Sequence, residues 1–323
     1  PLSKSDEAQI LATVLEAGWL RLFARVEQVR EDVLGTSWEQ VLYKKIMEAL
    51  GYSKNQTAFL RLAEIVTYEI ICAEMQWVDE EMAVKKCAAL LFGAAGLLPS
   101  QSKPGAEILD EATLTYVAPL ERLWEQMSHR LGIKPMKSQA WQFFRLRPQN
   151  FPTRRLAGMV QLIFRFYRQG FLQGFLKIFS GQTKDYPLII NEIENVFTIK
   201  AEGYWREHYR FKEERGKPLQ KSQEALIGKD RARDIVVNIT LPVLYLYSME
   251  SSDGALKNTL QEIYFRYPKL SENTITRAMK QQLRMGRGSV ISASHQQQGL
   301  IHLHKLYCRP LRCSECLNLT GSP

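Results

Sequence analysis

The chain has 323 residues, 45% hydrophobic and 24% charged, with a formal net charge of +9. Those proportions belong to a globular chain with a sizeable core and exclude a largely disordered one. The longest nearly unbroken apolar run, 235–247, contains Asn238, Thr240 and Pro242 and is shorter than the roughly 20 residues that span a bilayer. No apolar leader follows Pro1, so a cytoplasmic protein without a membrane partner is expected.

Helical spacing dominates the rest of the chain. Residues 6–30 place Ile10, Leu11, Val14, Leu15, Leu22, Val26 and Val29 three and four apart. Ser37 suits the N-cap of a helix over 38–50 closed by Gly51, and Asn55 suits the cap of the next, with Phe59, Leu62, Ala63, Val66 and Ile70 on its apolar face. A further helix ends near Gly93, 99–105 reads as a polar loop, and 107–130 is amphipathic despite Pro119. The Pro- and aromatic-rich 132–150 reads as irregular. Pro152 then opens a helix that can run to Phe179, weakened by Gly158, Gly170 and Gly174. Residues 235–247 are β-branched, but Pro242 opposes a central strand, and a buried helix is the expectation. Helices over 272–285 and 296–308 complete the set. The expected fold is therefore all-α, an irregular multi-helix array, with an N-terminal helical part over 1–130 and a basic part over 131–323 that ends in a cysteine-rich metal knuckle.

The charge is segregated. No Asp or Glu occurs from Gln126 to Lys184, which holds eleven Lys and Arg, or from Asn273 to Ser314, which holds seven. The remainder carries 25 cations against 34 acids, so two basic segments interrupt an acidic body. Such segregation fits an anionic partner, DNA or RNA, or an acidic protein surface, including the acidic part of the same chain.

Three of the five cysteines crowd into Cys308-x4-Cys313-x2-Cys316. A reducing compartment and a metal explain that crowding better than disulfides do. His304 lies one helical turn before Cys308, so His304, Cys308, Cys313 and Cys316 form a candidate Cys3His zinc set of the closed, structural kind. Cys72 or Cys87 as a distant fourth ligand would instead suit an iron–sulfur cluster, and free thiols in a tail are the plain alternative. A second candidate is 141–155, where Arg145, Arg147, Arg154 and Arg155 surround the helix start at Pro152 beside Trp141, Phe143, Phe144 and Phe151. Cations at a helix N-terminus favour a bound anion, and aromatic rings suit stacked bases. The alternative makes the rings core and neutralises the arginines with acids from elsewhere. Arg287, in the glycine turn 286–288, is a further anion contact without the spacing of a phosphate loop. In Tyr204-Trp205-Arg206-Glu207-His208-Tyr209 the adjacent Glu207 and His208 point apart on a helix, and the aromatics read as packing. No catalytic constellation is legible, so whether the protein is an enzyme stays open.

The order Trp38…Leu50-Gly51-Tyr52…Asn55, Leu91-Phe92-Gly93, Arg145-Leu-Arg-Pro-Gln-Asn-Phe-Pro-Thr-Arg154, Tyr204-Trp205…His208-Tyr209 and the terminal cysteines resembles a bacterial family, domain of unknown function 2851. The resemblance implies a longer N-terminal, strand-rich segment bearing acidic and His residues, somewhat nuclease-like, which would be an intramolecular partner. It implies no activity. The leading expectation is a nucleic-acid-associated helical segment with a structural metal. The alternative is a protein-interaction module, or the accessory part of a nuclease-like enzyme.

Overall fold

Short polar side chains start several of the helices. Ser37, Thr67, Asp79, Asp110, Asp253 and Asn273 each accept the backbone N–H three residues on, satisfying a donor the helix itself leaves open. The computed structural model describes residues 4–101, 109–180, 185–211, 225–283, 291–312 and 315. In chain order these form α1 (Lys4–Val33), α2 (Trp38–Leu50), α3 (Tyr52–Ile65), α4 (Tyr68–Met75), α5 (Glu80–Ala94), α6 (Glu111–Leu131), α7 (Pro152–Phe166), α8 (Phe171–Phe179) and α9 (Tyr186–Phe197). There follow β1 (Ile199–Lys200), β2 (Ala225–Ile227), α10 (Lys229–Ile235), α11 (Leu241–Glu250), α12 (Gly254–Arg266), α13 (Thr274–Gln282) and α14 (Ser294–Leu303). The protein is predominantly helical, as its periodicity implies, with one short antiparallel β1–β2 pair.

The chain divides into two compact units. One comprises Pro1–Gly35, Phe179–Asn191 and Val236–Pro323, the other Thr36–Ile178 and Glu192–Ile235. Residues 130 and 131 lie together in the second unit, and each unit is built from separated stretches of sequence.

In the first unit α1 crosses α14 at two glycines. A side chain at Gly18 would strike the His295 carbonyl, and one at Gly299 would strike the Val14 carbonyl, so only glycine lets the two backbones meet. Val14, Ala17, Met279, Ile291, Leu300 and Leu303 are buried around that crossing. The Tyr264 hydroxyl donates to the Gly18 carbonyl at 2.7 Å. A π-helical turn over Val236–Thr240 precedes α11. Pro242 has no N–H to give the preceding turn and its ring crowds the carbonyl four residues back, so the helix widens instead of becoming a strand.

In the second unit α5 is the apolar axis. With the turn that follows it, Glu80–Gln101 is long and apolar enough to cross a membrane by length and composition alone, but 67% of that window is buried inside the protein. Three elements depart from the sequence expectation. Asn55 does not cap a helix, because α3 already begins at Tyr52 and Asn55 is buried within it. The apolar run 59–70 is split, since Thr67 starts a separate α4. The helix from Pro152 ends at Phe166, where Gly170 takes a left-handed φ of 86°. There the Glu39 carboxylate receives the N–H groups of Phe171, at 2.6 Å, and of Leu172, and so restarts the helix as α8. Pro119, by contrast, does not interrupt α6.

Candidate nucleic-acid interface

The four arginines of the 145–155 stretch are sorted by backbone position. Phe151 precedes α7 and Pro152 is in its first turn, which turns Arg154 and Arg155 inward. Arg154 is fully buried and donates to the carbonyls of Trp205 at 2.5 Å and His208 at 2.9 Å, with its guanidinium 5.3 Å from the Tyr209 ring centre. Arg155 donates to the Leu226 carbonyl, the Tyr52 hydroxyl at 2.8 Å and the Asn150 side-chain oxygen at 2.5 Å. Burial lowers the pKa of both, that of Arg154 to about 10. A guanidinium out of water needs acceptors in the plane of its N–H fork, and here internal carbonyls, a hydroxyl and an amide take that role. Trp141 is interior as well, its indole N–H donating to the Ala95 carbonyl at 2.7 Å and its ring edge-on to Phe59. Trp141, Arg154 and Arg155, expected at an anion-binding surface, are therefore structural in place.

Arg145 and Arg147 are the opposite case. Both are exposed, and Phe144 beside them is 74% exposed, with the Arg145 guanidinium 5.1 Å from its ring centre. Arg145 holds a φ of 56°, a left-handed conformation that a non-glycine residue adopts only where its surroundings impose it. Those surroundings are specific. The Asn55 side chain donates to the Gln142 carbonyl at 3.0 Å and accepts the Gln142 N–H at 2.8 Å. The Lys54 ammonium donates to the carbonyls of Phe144 at 3.0 Å and Arg145 at 3.3 Å. Upstream, the Met136 N–H reaches the Ala94 carbonyl at 2.8 Å. Residues 133–147 thus form a pinned strap, irregular as its sequence implies, that carries exposed Lys134, Lys137, Phe144, Arg145 and Arg147.

Part of the acid-free window is neutralised internally. Arg130 pairs with Glu74 at 2.6 Å and Arg168 with Glu80 at 3.5 Å, while Arg165 donates to the carbonyls of Asn195 and Val196 at the end of α9. Among the described residues no carboxylate pairs with Lys134, Lys137, Arg145 or Arg147. The strap thus carries four cations of that window that no described carboxylate pairs.

His208 has a partner that sequence reading did not find. Its Nε2 lies 3.0 Å from an Asp110 carboxylate oxygen, its Nδ1 lies 2.9 Å from the Tyr204 carbonyl, and its ring stacks on Tyr204 at 4.1 Å. Tyr204 in turn stacks on Tyr116 at 4.4 Å and hydrogen-bonds Thr113. Hydrogen bonds from Thr113 and then His208 hold the Asp110 carboxyl down at about 2. Both ring nitrogens face oxygens of the fold, so the pair clamps the 203–209 turn to the start of α6. The distance of 98 residues between them hid it.

Of the proposed metal set, His304 and Cys308 begin and end a π-helical turn, and both are half-buried. The Cys308 thiol lies 3.5 Å from the Met279 sulfur. Cys313 and Cys316 lie outside the described residues, as does Arg287. Among the described residues no group of three His, Cys, Asp or Glu is placed to hold a metal ion. Burial raises the Cys72 thiol to about 11 and raises fully buried Cys87 further.

The chain belongs to the family described as a protein of unknown function, DUF2851, whose sequence profile matches residues 3–273. The strap, the buried arginine pair and the His208 clamp lie within that match, and the terminal cysteines lie beyond it. No curated protein and no solved structure matches the chain.

Proposed function

We propose that this protein is nucleic-acid-associated and that the strap 133–147 holds single-stranded DNA or RNA. The observation that carries the reading is the exposed Phe144, with Arg145 stacked on it, on a loop fixed by Asn55 and Lys54. A base stacked on an accessible ring is worth about 1–3 kcal/mol, and a loop already held in place loses little freedom on binding. Lys134, Lys137 and Arg147 would take the phosphates. The test is fluorescence anisotropy with a labelled oligonucleotide over a salt series. Three phosphate contacts predict a slope of log affinity against log salt of about −2. Phe144→Ala should weaken binding roughly tenfold or more, with the melting temperature unchanged. Binding that is indifferent to salt, or to Phe144→Ala, would sink the proposal.

The proposal includes a structural zinc on His304, Cys308, Cys313 and Cys316, favoured by the placement of His304 and Cys308 on one helical turn. Elemental analysis of protein purified without chelator should find one zinc per chain, absent after Cys313→Ser with Cys316→Ser. The second reading is a protein-interaction module whose basic residues serve the fold, favoured by the Arg130–Glu74 pair and the buried Arg154. It predicts no nucleic-acid affinity in the same anisotropy experiment.

A further inference from the structure

A second basic site is built in the first unit, and its chemistry differs from that of the strap. Arg21, Arg25 and Gln28, on one face of α1, line a cavity of about 550 Å³ together with His302, His304, Lys305 and Arg309. Ala24, Ile275, Ile301 and Leu306 supply an apolar wall, and no carboxylate is among the lining residues. The volume is that of an ordinary small-ligand pocket, for which about 300–1,000 Å³ is typical.

The cations here stand against one another. Arg21 and Arg25 are four residues apart on a helix, as are Lys305 and Arg309, and like charges at that spacing repel even in water. Burial first, then the charge of Arg25, lowers the Arg21 pKa to about 10. The C-terminal end of α14 offers partial negative charge that accounts for Lys305 and Arg309. Arg21 sits in the middle of the 30-residue α1, far from either helix end. Arg21 is held in place by the Gln298 side-chain oxygen, which leaves its terminal nitrogens for another acceptor. Lys305 and Arg309 are delivered by the π-helical turn His304–Cys308, a wide-turn geometry that recurs at ligand sites.

We infer that this cavity binds a small organic phosphate, of the size and kind of a nucleoside diphosphate, with its phosphates between the Arg21–Arg25 and Lys305–Arg309 pairs and its body on Ile275, Ile301 and Leu306. Guanidinium forks match phosphate oxygens in charge and geometry, and the apolar wall gives the remainder of the ligand somewhere to pack. The inference does not rest on the strap, whose residues belong to the other unit.

The test uses the full chain titrated calorimetrically with ADP, with adenosine as the uncharged control. ADP should bind and adenosine should not. The double variant Lys305→Gln with Arg309→Gln changes two exposed side chains and should weaken ADP roughly tenfold or more, as expected for losing charge-assisted hydrogen bonds. Arg25→Gln should do the same, and Phe144→Ala should leave ADP affinity unchanged. ADP binding no tighter than adenosine, or affinity untouched in both cavity variants, overturns the inference. Displacement of ADP by single-stranded DNA lacking a terminal phosphate would overturn it too, by making the cavity part of a nucleic-acid surface.

Discussion

Arg154–Arg155 and Arg145–Arg147 come from one stretch of eleven residues, share a residue type, and do opposite things. The first pair is turned inward by α7 and satisfies carbonyls from the 203–209 turn and β2. The second pair stands in solvent on a loop whose backbone is pinned from α3. Charge composition treats all four alike, and the difference between them is a matter of where helix α7 begins. A basic segment is thus no guide to a binding surface until its backbone is known, because arginine is also the side chain best able to tie distant carbonyls together.

Three experiments sharpen that contrast, beginning with the largest effect. Arg154→Ala leaves two carbonyls without their donor, at about 1–3 kcal/mol each, and a void besides, so urea unfolding should show a loss of about 3 kcal/mol or more. Arg145→Ala should lie within about 0.5 kcal/mol of the parent, as exposed substitutions usually do. Equal losses at the two positions would erase the distinction.

Asn55→Ala tests the pin itself. It removes both hydrogen bonds to Gln142 and should cost about 1–3 kcal/mol of stability. It should also reduce oligonucleotide affinity, although Asn55 is buried and touches no ligand. Stability lost with affinity intact would mean that the strap needs no fixed shape.

The smallest effect is acid sensitivity at the His208 clamp. Asp110 titrates at about 2 in the folded chain, below the unfolded carboxyl value of about 3.9. A depressed folded value contributes stability that is present above the unfolded value and is lost as pH falls through the folded one. Urea midpoints should therefore fall between pH 4 and 2, and less steeply in Asp110→Asn. Parallel curves for the two proteins would show that the clamp adds nothing.

Much of the helical framework is legible in the residues themselves. Ser37 caps α2 as its position implies, and Pro152 begins α7, because capping is a contact between near neighbours. Asn55 has the side chain of a cap and is not one, since Tyr52 had already started the helix. Gly170 reads only as a weak point in a long helix, because the carboxylate that restarts the chain there belongs to Glu39, 132 residues away from Phe171.

The sequence by itself determined the helical class, the segregation of charge and the family, all of which depend on spacing and composition along the chain. Only the tertiary structure decided which arginines are interior, that His208 meets Asp110, and that Arg21 and Arg25 line one cavity with Lys305 and Arg309. These are contacts between residues tens to hundreds of positions apart. They depend on how helices cross, and at Gly18 and Gly299 that depends in turn on the absence of a side chain.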